Sequence, residues 1–557
     1  MVPTKKIKAD LNIKMMNLIF MSFYFLGLIF IGLNAHLIPD CFSGLSATLS
    51  LRDHTPYKDF FPYKNLLGKY LFLIPSFILD GWNYILASRI IVIGTYLLIV
   101  TLFLDIVSKK KILTPSNFPA VFFFLLSPTI LETFYLIRVD LITNLLFILG
   151  VSLYLKEKKY FSFFIALSFL CSQKAAILIL PMTLFWLGEE FEKIKLSSKQ
   201  FFIPFFWFTL PIAAYVLFWG IFAPPINVIQ SLLLMKSQVK ETVDAYALSN
   251  WQVWIEIIKD NFALGITFIF CFFHILILSI RKKKNFHYPL AIASVIVIQV
   301  FFPVVYEYNM GKVIPFLTIV ILYSSSILLT RLSLFWITFV KYSLLCLVLI
   351  QLMALDTNSF KGILFQKQNF KIVESILENY PESSYFSGFQ LLPNQTRSPK
   401  SLIWVDRFRR AELITMSQKD KNKLFKSLLE NKMILYVEGI ISNNLFHDKP
   451  FRIFFQEYFS HYYGSIHTYS PKLSKTEGQY NIRISGSYRL KSKSNETVSI
   501  SGVTYKNGQK IKLRAGIIKF KINGLSSHVR LKLIPKHDKE LLLPQFKDRK
   551  GYFKYYL

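Results

Sequence analysis

Residues Leu37–Leu79 read LIPDCFSGLSATLSLRDHTPYKDFFPYKNLLGKYLFLIPSFIL, and the interpretation of the whole chain turns on them. They follow an apolar run of membrane length, 15–37, yet they are too polar to face lipid and too rich in acids, lysines and aromatics for a plain linker. A connection this long inside a membrane protein is usually functional or disordered, and its amphipathic and apolar runs argue against disorder. It is read as a re-entrant surface loop that builds a site, within a first outer loop spanning 38–86. Asp40 follows Ile38-Pro39 where the first helix leaves the bilayer, so a carboxylate stands at the water interface and is a candidate base by position. Leu45, Leu49 and Leu51 suggest a short helix lying along the surface. In Pro56-Tyr57-Lys58-Asp59-Phe60-Phe61-Pro62-Tyr63-Lys64, two prolines bracket aromatics suited to stacking on a sugar or to the headgroup level. The plainer alternative is an interfacial aromatic belt with solvated charges. The apolar run 67–79, about 13 residues, suits an interfacial helix better than a span.

Composition sets the class. At 557 residues, 53% hydrophobic and 17% aromatic, the chain is too apolar for a soluble enzyme and long enough for a membrane domain plus further domains. Lys5, Lys6, Lys8 and Lys14 precede the first apolar run, which exceeds a signal-peptide core and is expected to remain as an anchor with a cytoplasmic N-terminus. Cys41, Cys171, Cys271 and Cys346 are scattered, with neither disulfide-framework nor zinc spacing. The net charge of +32 comes without any nucleic-acid recognition motif, and a basic membrane protein more often faces anionic headgroups and phosphates.

Further membrane segments are expected near 87–107, 116–134, 138–155, 160–173, 175–188, 201–222, 262–280, 286–305, 312–330 and 333–355. With the first they make about eleven transmembrane helices of a polytopic α-helical domain, 1–356. Lys109-Lys110-Lys111, the 156–159 cluster, the 193–199 lysines, the 281–284 cluster and Arg331 alternate correctly if all are cytoplasmic. Everything after Leu355 then lies outside. Each half of 160–188 is shorter than a usual span, and the charge pattern favours a hairpin over one tilted helix.

This topology gathers charges on the outer side: Glu132, Arg138 and Asp140 at one helix mouth, Lys174 at a hairpin apex, and Tyr306-Glu307-Tyr308-Asn309 with Lys312 at another turn. Ionisable groups at membrane depth are expensive and mark a pathway or a site by default. Arg138 and Asp140, two apart, do not share a helix face, which argues against a simple helical salt bridge. Snorkelling to the headgroups is the competing explanation for each cation, Lys174 and Lys312 above all. A second outer segment, 223–261, has amphipathic patches that fit surface helices or a flap.

After Leu355 the composition turns charged and mixed. Helical spacing at 370–380 and 420–429 with short strands at 384–389, 402–405 and 433–437 predicts an α/β domain over 357–470. Alternation then predicts strands at 481–490, 497–505, 511–514, 516–522 and 528–533, with hairpin turns at Asn507-Gly508 and Asn523-Gly524, hence a β-sandwich or barrel over 471–557. That module holds 20 Lys and Arg against 5 Asp and Glu, a net +15, and suits an anionic lipid or glycan unless its face is simply solvated.

The order of these features resembles the bacterial GT-C integral-membrane glycosyltransferases, the protein O-mannosyltransferase and aminoarabinose transferase group in particular. The features are Asp40 after the first span, PYKDFFPYK in the loop, RVD at an outer helix start, SQKAAILILP after a short hairpin and a YEYN turn, across roughly 15–355. The resemblance implies a GT-C-like fold and an inverting transfer from a polyprenyl-phosphate-linked sugar to an acceptor hydroxyl, on a lipid, glycan or protein, at the extracytoplasmic side of a bacterial inner membrane. It maps the family's first-loop acid to Asp40, its Arg-x-acid position to Arg138 and Asp140, and its lysine after the hairpin to Lys174. Asp40 is flanked by Pro39 and Cys41, without the neighbouring second acid that many relatives carry, which counts against a metal-binding acid pair while a divalent metal stays open as an alternative, and Asp53 or Asp59 stands to share the base role. Tyr57, Lys64, Tyr308 and Lys312 complete the expected substrate contacts.

The chemistry agrees with the resemblance without requiring it. Displacing a lipid phosphate needs a base for the acceptor hydroxyl and fixed cations for the departing phosphate, which a carboxylate and Arg138 with Lys174 would supply. No P-loop or dinucleotide-type glycine fingerprint is present. The alternatives are a transporter or flippase of lipid-linked glycans, which would call for internal repeats that the sequence lacks, and a non-catalytic membrane protein whose basic domain binds envelope glycan.

Overall fold

The computed structural model describes residues 21–35, 37, 41, 44–45, 48–49, 51–52, 55–59, 62, 65–114, 116–192, 198–233, 250–282, 285–301, 307–330, 332–353, 363–387, 413–437, 447–463, 466–473, 475–492, 496–524 and 529–536. The chain divides into two compact units, Met1–Ala35 with Leu51–Ile74 and Leu86–Lys361, and His36–Ser50 with Pro75–Ile85 and Gly362–Leu557. The boundary runs through the first loop, so 37–79 does not behave as one body.

The described part of the first unit consists of helices and their turns: α1 (Met21–Asn34), α2 (Leu67–Leu73), α3 (Gly81–Lys109, shared with the second unit), α4 (Phe118–Thr133, broken at Leu126-Ser127), α5 (Val139–Leu155), α6 (Phe161–Cys171), α7 (Ala176–Glu192), α8 (Ser198–Gly220), α9 (Pro225–Leu233), α10 (Asn250–Asp260), α11 (Phe262–Lys282), α12 (His287–Phe301), α13 (Glu307–Leu329) and α14 (Leu334–Leu352). A helix apolar on every side gains nothing by turning one stripe inward and needs an apolar solvent. Phe202, Leu217 and Ile221 of α8 and its end, Phe270 of α11, and Leu334 and Phe335 of α14 are between 63% and 79% exposed, a surface suited to acyl chains. Gly81–Lys109, Phe202–Gly220, Phe262–Lys282 and Gly311–Leu329 are long and apolar enough to cross a membrane. Met21–Asn34, Val139–Leu155, Phe161–Cys171 and four further apolar helices are shorter.

Residues 160–188 form two helices, not one. Tyr154 at the end of α5 donates to Glu189 near the end of α7 and stacks edge-on against Phe161 at the start of α6. At the opposite end, Gly68 of α2 lies against Val139, where α5 begins, and Cys171, where α6 ends. Hence α5, α6 and α7 alternate in direction, and a single 3-10 turn, Gln173–Ala175, reverses the chain between α6 and α7.

In the second unit, α15 (Ile363–Glu378), α16 (Gln418–Glu430) and α17 (Lys449–Tyr458) accompany a sheet of order β1-β2-β4-β3, made of Ser384–Ser387, Met433–Val437, Ile466–Tyr469 and Phe459–Tyr463. Ser417 caps α16 by accepting from the Asp420 amide, and Asp448 caps α17 by accepting from that of Phe451. The first loop begins in this unit, where the Gln366 amide bonds both the N–H and the C=O of Leu37, at 2.5 and 2.7 Å. Two more four-stranded sheets follow, β10-β7-β12-β5 and β6-β11-β8-β9. Their strands are β5 (Lys472–Leu473), β6 (Glu477–Ile482), β7 (Gly486–Lys491), β8 (Thr497–Ile500), β9 (Val503–Lys506), β10 (Lys510–Leu513), β11 (Gly516–Asn523) and β12 (Val529–Ile534). The strand expected at 402–405 lies outside the described residues.

The turns differ from expectation. The strand expected over 497–505 is a hairpin, because Ser501 and Gly502 both take positive φ, 49° and 89°, as a two-residue hairpin turn requires. Asn507-Gly508 closes no hairpin: only Gly508 has positive φ there, and β9 and β10 belong to different sheets. Neither does Asn523-Gly524, after which the chain passes from the sheet of β11 to that of β12. The expected strand 481–490 is likewise two, β6 and β7.

Packing of the first unit is tested at a close helix contact. A Cβ added to Gly188 would stand 2.1 Å from the Cβ of His287, whereas one added to Gly27 meets nothing within 4 Å. Gly188→Ala should therefore destabilise the detergent-solubilised protein by about 1–3 kcal/mol in thermal unfolding, while Gly27→Ala should be neutral or stabilising by up to about 1 kcal/mol.

Candidate functional site

Arg138 is the extended residue that caps α5, at φ −143° and ψ 149°, and Asp140 lies in that helix's first turn. The break in helical geometry lets two residues so close in sequence face one another, and the Arg138 Nε donates to Asp140 Oδ2 at 3.0 Å. Asp140 Oδ1 accepts from Lys312 Nζ, on α13, at 2.7 Å. Side-chain exposure is 10% for Arg138, 12% for Asp140 and nil for Lys312, so this is an internal ion triad, not a snorkelling fringe.

The same two helices are keyed together one turn further along. Pro315 has no N–H, so the Gly311 carbonyl loses its intrahelical donor, and Asn144 Nδ2 reaches that oxygen at 3.4 Å. Asp140 and Asn144 are four apart on α5 and meet Lys312 and Gly311, adjacent on α13. Lys174, in the turn between α6 and α7, acts electrostatically on Asp140 as well. Cations from three separate segments thus act on one carboxylate.

The part of the first loop that belongs to the helical unit, from Leu51 on, is bonded to the turn and helices around Lys174. Gln173, beside Lys174, donates to the Ser231 carbonyl at 2.6 Å, and the Ser231 hydroxyl donates to the Pro62 carbonyl at 2.7 Å. Asn65 donates to the Phe169 carbonyl at 2.6 Å. Alongside runs an open cleft of about 580 Å³, lined by Leu51, Arg52, Thr55, Tyr70, Trp219 and Phe222 among others. Tyr70 stacks on Trp219 with ring centroids 6.5 Å apart.

The expected site residues fall into three groups. Arg138, Asp140, Lys174 and Lys312 are brought together. Tyr57 and Asp59 are placed by the loop itself: Tyr57 is buried with its hydroxyl 2.8 Å from that of Tyr215, and exposed Asp59 accepts from the Thr55 amide at 2.7 Å. Tyr57 also holds a positive φ of 66°, a strained setting for an aromatic residue. Asp40, Asp53 and Lys64 lie outside the described residues, as does the side chain of Tyr308, near the start of α13. Among the described residues no group of three or more His, Cys, Asp or Glu is arranged to hold a metal ion.

Sequence reasoning passed over Asn144, whose four-residue spacing from Asp140 was the available signal. It also passed over two buried cations. Lys69 is 4% exposed next to Gly68, and Arg89 is 1% exposed, donating from Nη1 to the Ala35 carbonyl at 2.5 Å with its guanidinium 5.4 Å from the centre of the Tyr135 ring. Each hides in a run whose apolar neighbours dominate the hydropathy.

With one oxygen bonded to Arg138 and the other to Lys312, Asp140 is poorly placed to take a proton and well placed to orient cations toward an anion. Asp140→Asn removes the carboxylate that the fully buried Lys312 bonds and should cost about 3–5 kcal/mol of stability. Adding Lys312→Met should recover more than half of that loss, read as the unfolding midpoint of the purified protein in a double-mutant cycle.

No protein-family model, curated protein or solved structure matches the chain.

Proposed function

We propose that the protein is an inverting glycosyltransferase that moves a sugar from a polyprenyl phosphate to an acceptor hydroxyl at the outer face of a bacterial inner membrane. The observation that supports this best is the pairing of Asp140 with Arg138 and the buried Lys312, with Lys174 acting on the same carboxylate, because a departing phosphate needs fixed positive charge in a water-poor setting. In the reaction the acceptor oxygen attacks the anomeric carbon from the side opposite the phosphate. The bond from that carbon to the phosphate oxygen breaks, its electron pair leaves with the lipid phosphate, and the acceptor proton passes to a carboxylate. That base is Asp40, with Asp59 as the substitute. The reading includes about eleven spans, a cytoplasmic N-terminus and an extracytoplasmic C-terminal region.

The aromatic cleft beside the first loop suits the donor's apolar or sugar portion, since Tyr70 and Trp219 offer flat faces and Arg52 a cation at its rim. The test is to incubate purified protein with a panel of radiolabelled polyprenyl-phosphate sugars and to follow the label to lipid, glycan or protein acceptors. Asp40→Asn is expected to lower transfer by about 10²–10⁴-fold in a protein that still inserts and folds. Retained activity would move the base to Asp59, and failure of every donor to transfer would sink the reading.

A further inference from the structure

The sheet of β10, β7, β12 and β5 has an outward face made of cations. Along its strands Lys510 and Lys512, Arg489 and Lys491, Arg530 and Lys532, and Lys472 alternate with buried Ile511, Tyr488, Leu490, Leu531 and Leu473. Register sets them in rows: Lys510, Arg489 and Lys532 are opposite one another across three strands, and Lys491, Arg530 and Lys472 across the next three. No Asp or Glu occurs in any of the four strands. The other sheet behaves differently, its outward Lys521 lying 3.9 Å from Glu477. Like charges directly opposite one another cost stability, so such rows need an external counter-charge.

Part of the need is met internally. Arg530 donates to the carbonyls of Ser470, Phe459 and Gln456, with Glu457 acting on it, and Lys532 donates to that of His461 at 2.6 Å. Burial, then the charges of Lys491 and Arg489, push the Lys532 ammonium down from its usual value. Arg489, Lys491, Lys510 and Lys512 are exposed and, among the described residues, have no ion-pair partner. Residues 537–557 carry 5 Lys and Arg against 3 Asp and Glu and so bring no net negative charge.

We infer that this face docks on an anionic lipid bilayer through Arg489, Lys491, Lys510 and Lys512. An array extended in two dimensions matches a charged surface better than a single polymer strand, and the Tyr462 ring beside it is already engaged by Lys532, whose ammonium lies 5.9 Å from the ring centre. The chain itself has helices of membrane-crossing length, so a bilayer is always near.

The test places the full chain in nanodiscs of phosphatidylcholine alone or mixed with phosphatidylglycerol, labels it with an amine-reactive ester and reads each lysine by mass spectrometry. Labelling of Lys491, Lys510 and Lys512 should fall about tenfold in the anionic discs and recover at high salt, with Lys423 and Lys426 of α16 unchanged. Equal labelling in both discs overturns the inference. So does protection by dextran sulfate when phosphatidylglycerol gives none, an outcome that assigns the face to a soluble polyanion.

Discussion

A carboxylate shared between Arg138 and Lys312 is the constraint on which the arrangement of the helical unit rests. Bringing these charges out of water is unfavourable unless each finds its partner at good geometry, so the bridge admits little slippage between α5 and α13. Pro315 reinforces the register by freeing a carbonyl one residue from Lys312, which Asn144 then approaches one helical turn from Asp140. Two polar contacts of different chemistry, spaced alike on both helices, specify one alignment where apolar packing alone would tolerate several.

Other polar knots in the bundle have the same logic. Asn117 donates to the carbonyls of Ile112 and Leu322 and to the Ser325 hydroxyl, tying the start of α4 to α13. Asn261, between α10 and α11, bonds Ser127 and Thr129 at the break in α4. Where water is absent, side-chain amides satisfy the backbone groups that broken helices release. A helix interrupted in this way is stable only in one setting, which is why α4 is broken at Leu126-Ser127 and not frayed.

The helical character of the apolar part was legible in the sequence because long apolar runs are an additive signal along the chain, and four of the helices reach membrane-crossing length. The convergence of Arg138, Asp140, Lys174 and Lys312 was legible as well, since each violates the hydropathy of its surroundings. What stayed hidden depends on partners distant in sequence: Arg89 looks like an isolated charge in an apolar helix until Ala35 and Tyr135 are placed around it. The hairpin at Ser501-Gly502 was missed for a different reason. Asn-Gly is the stronger local signal, but strand exchange between two sheets decided where the chain could reverse, and local propensity yields to such tertiary pairing.

Division of labour among the acids follows from their surroundings. Asp140 has both oxygens bonded by cations, so it is held in one orientation with no oxygen left open. Asp59 has one oxygen committed to the Thr55 amide and is otherwise exposed to solvent, which leaves it loosely positioned. A base must be both unoccupied and fixed, and neither of these acids meets both conditions.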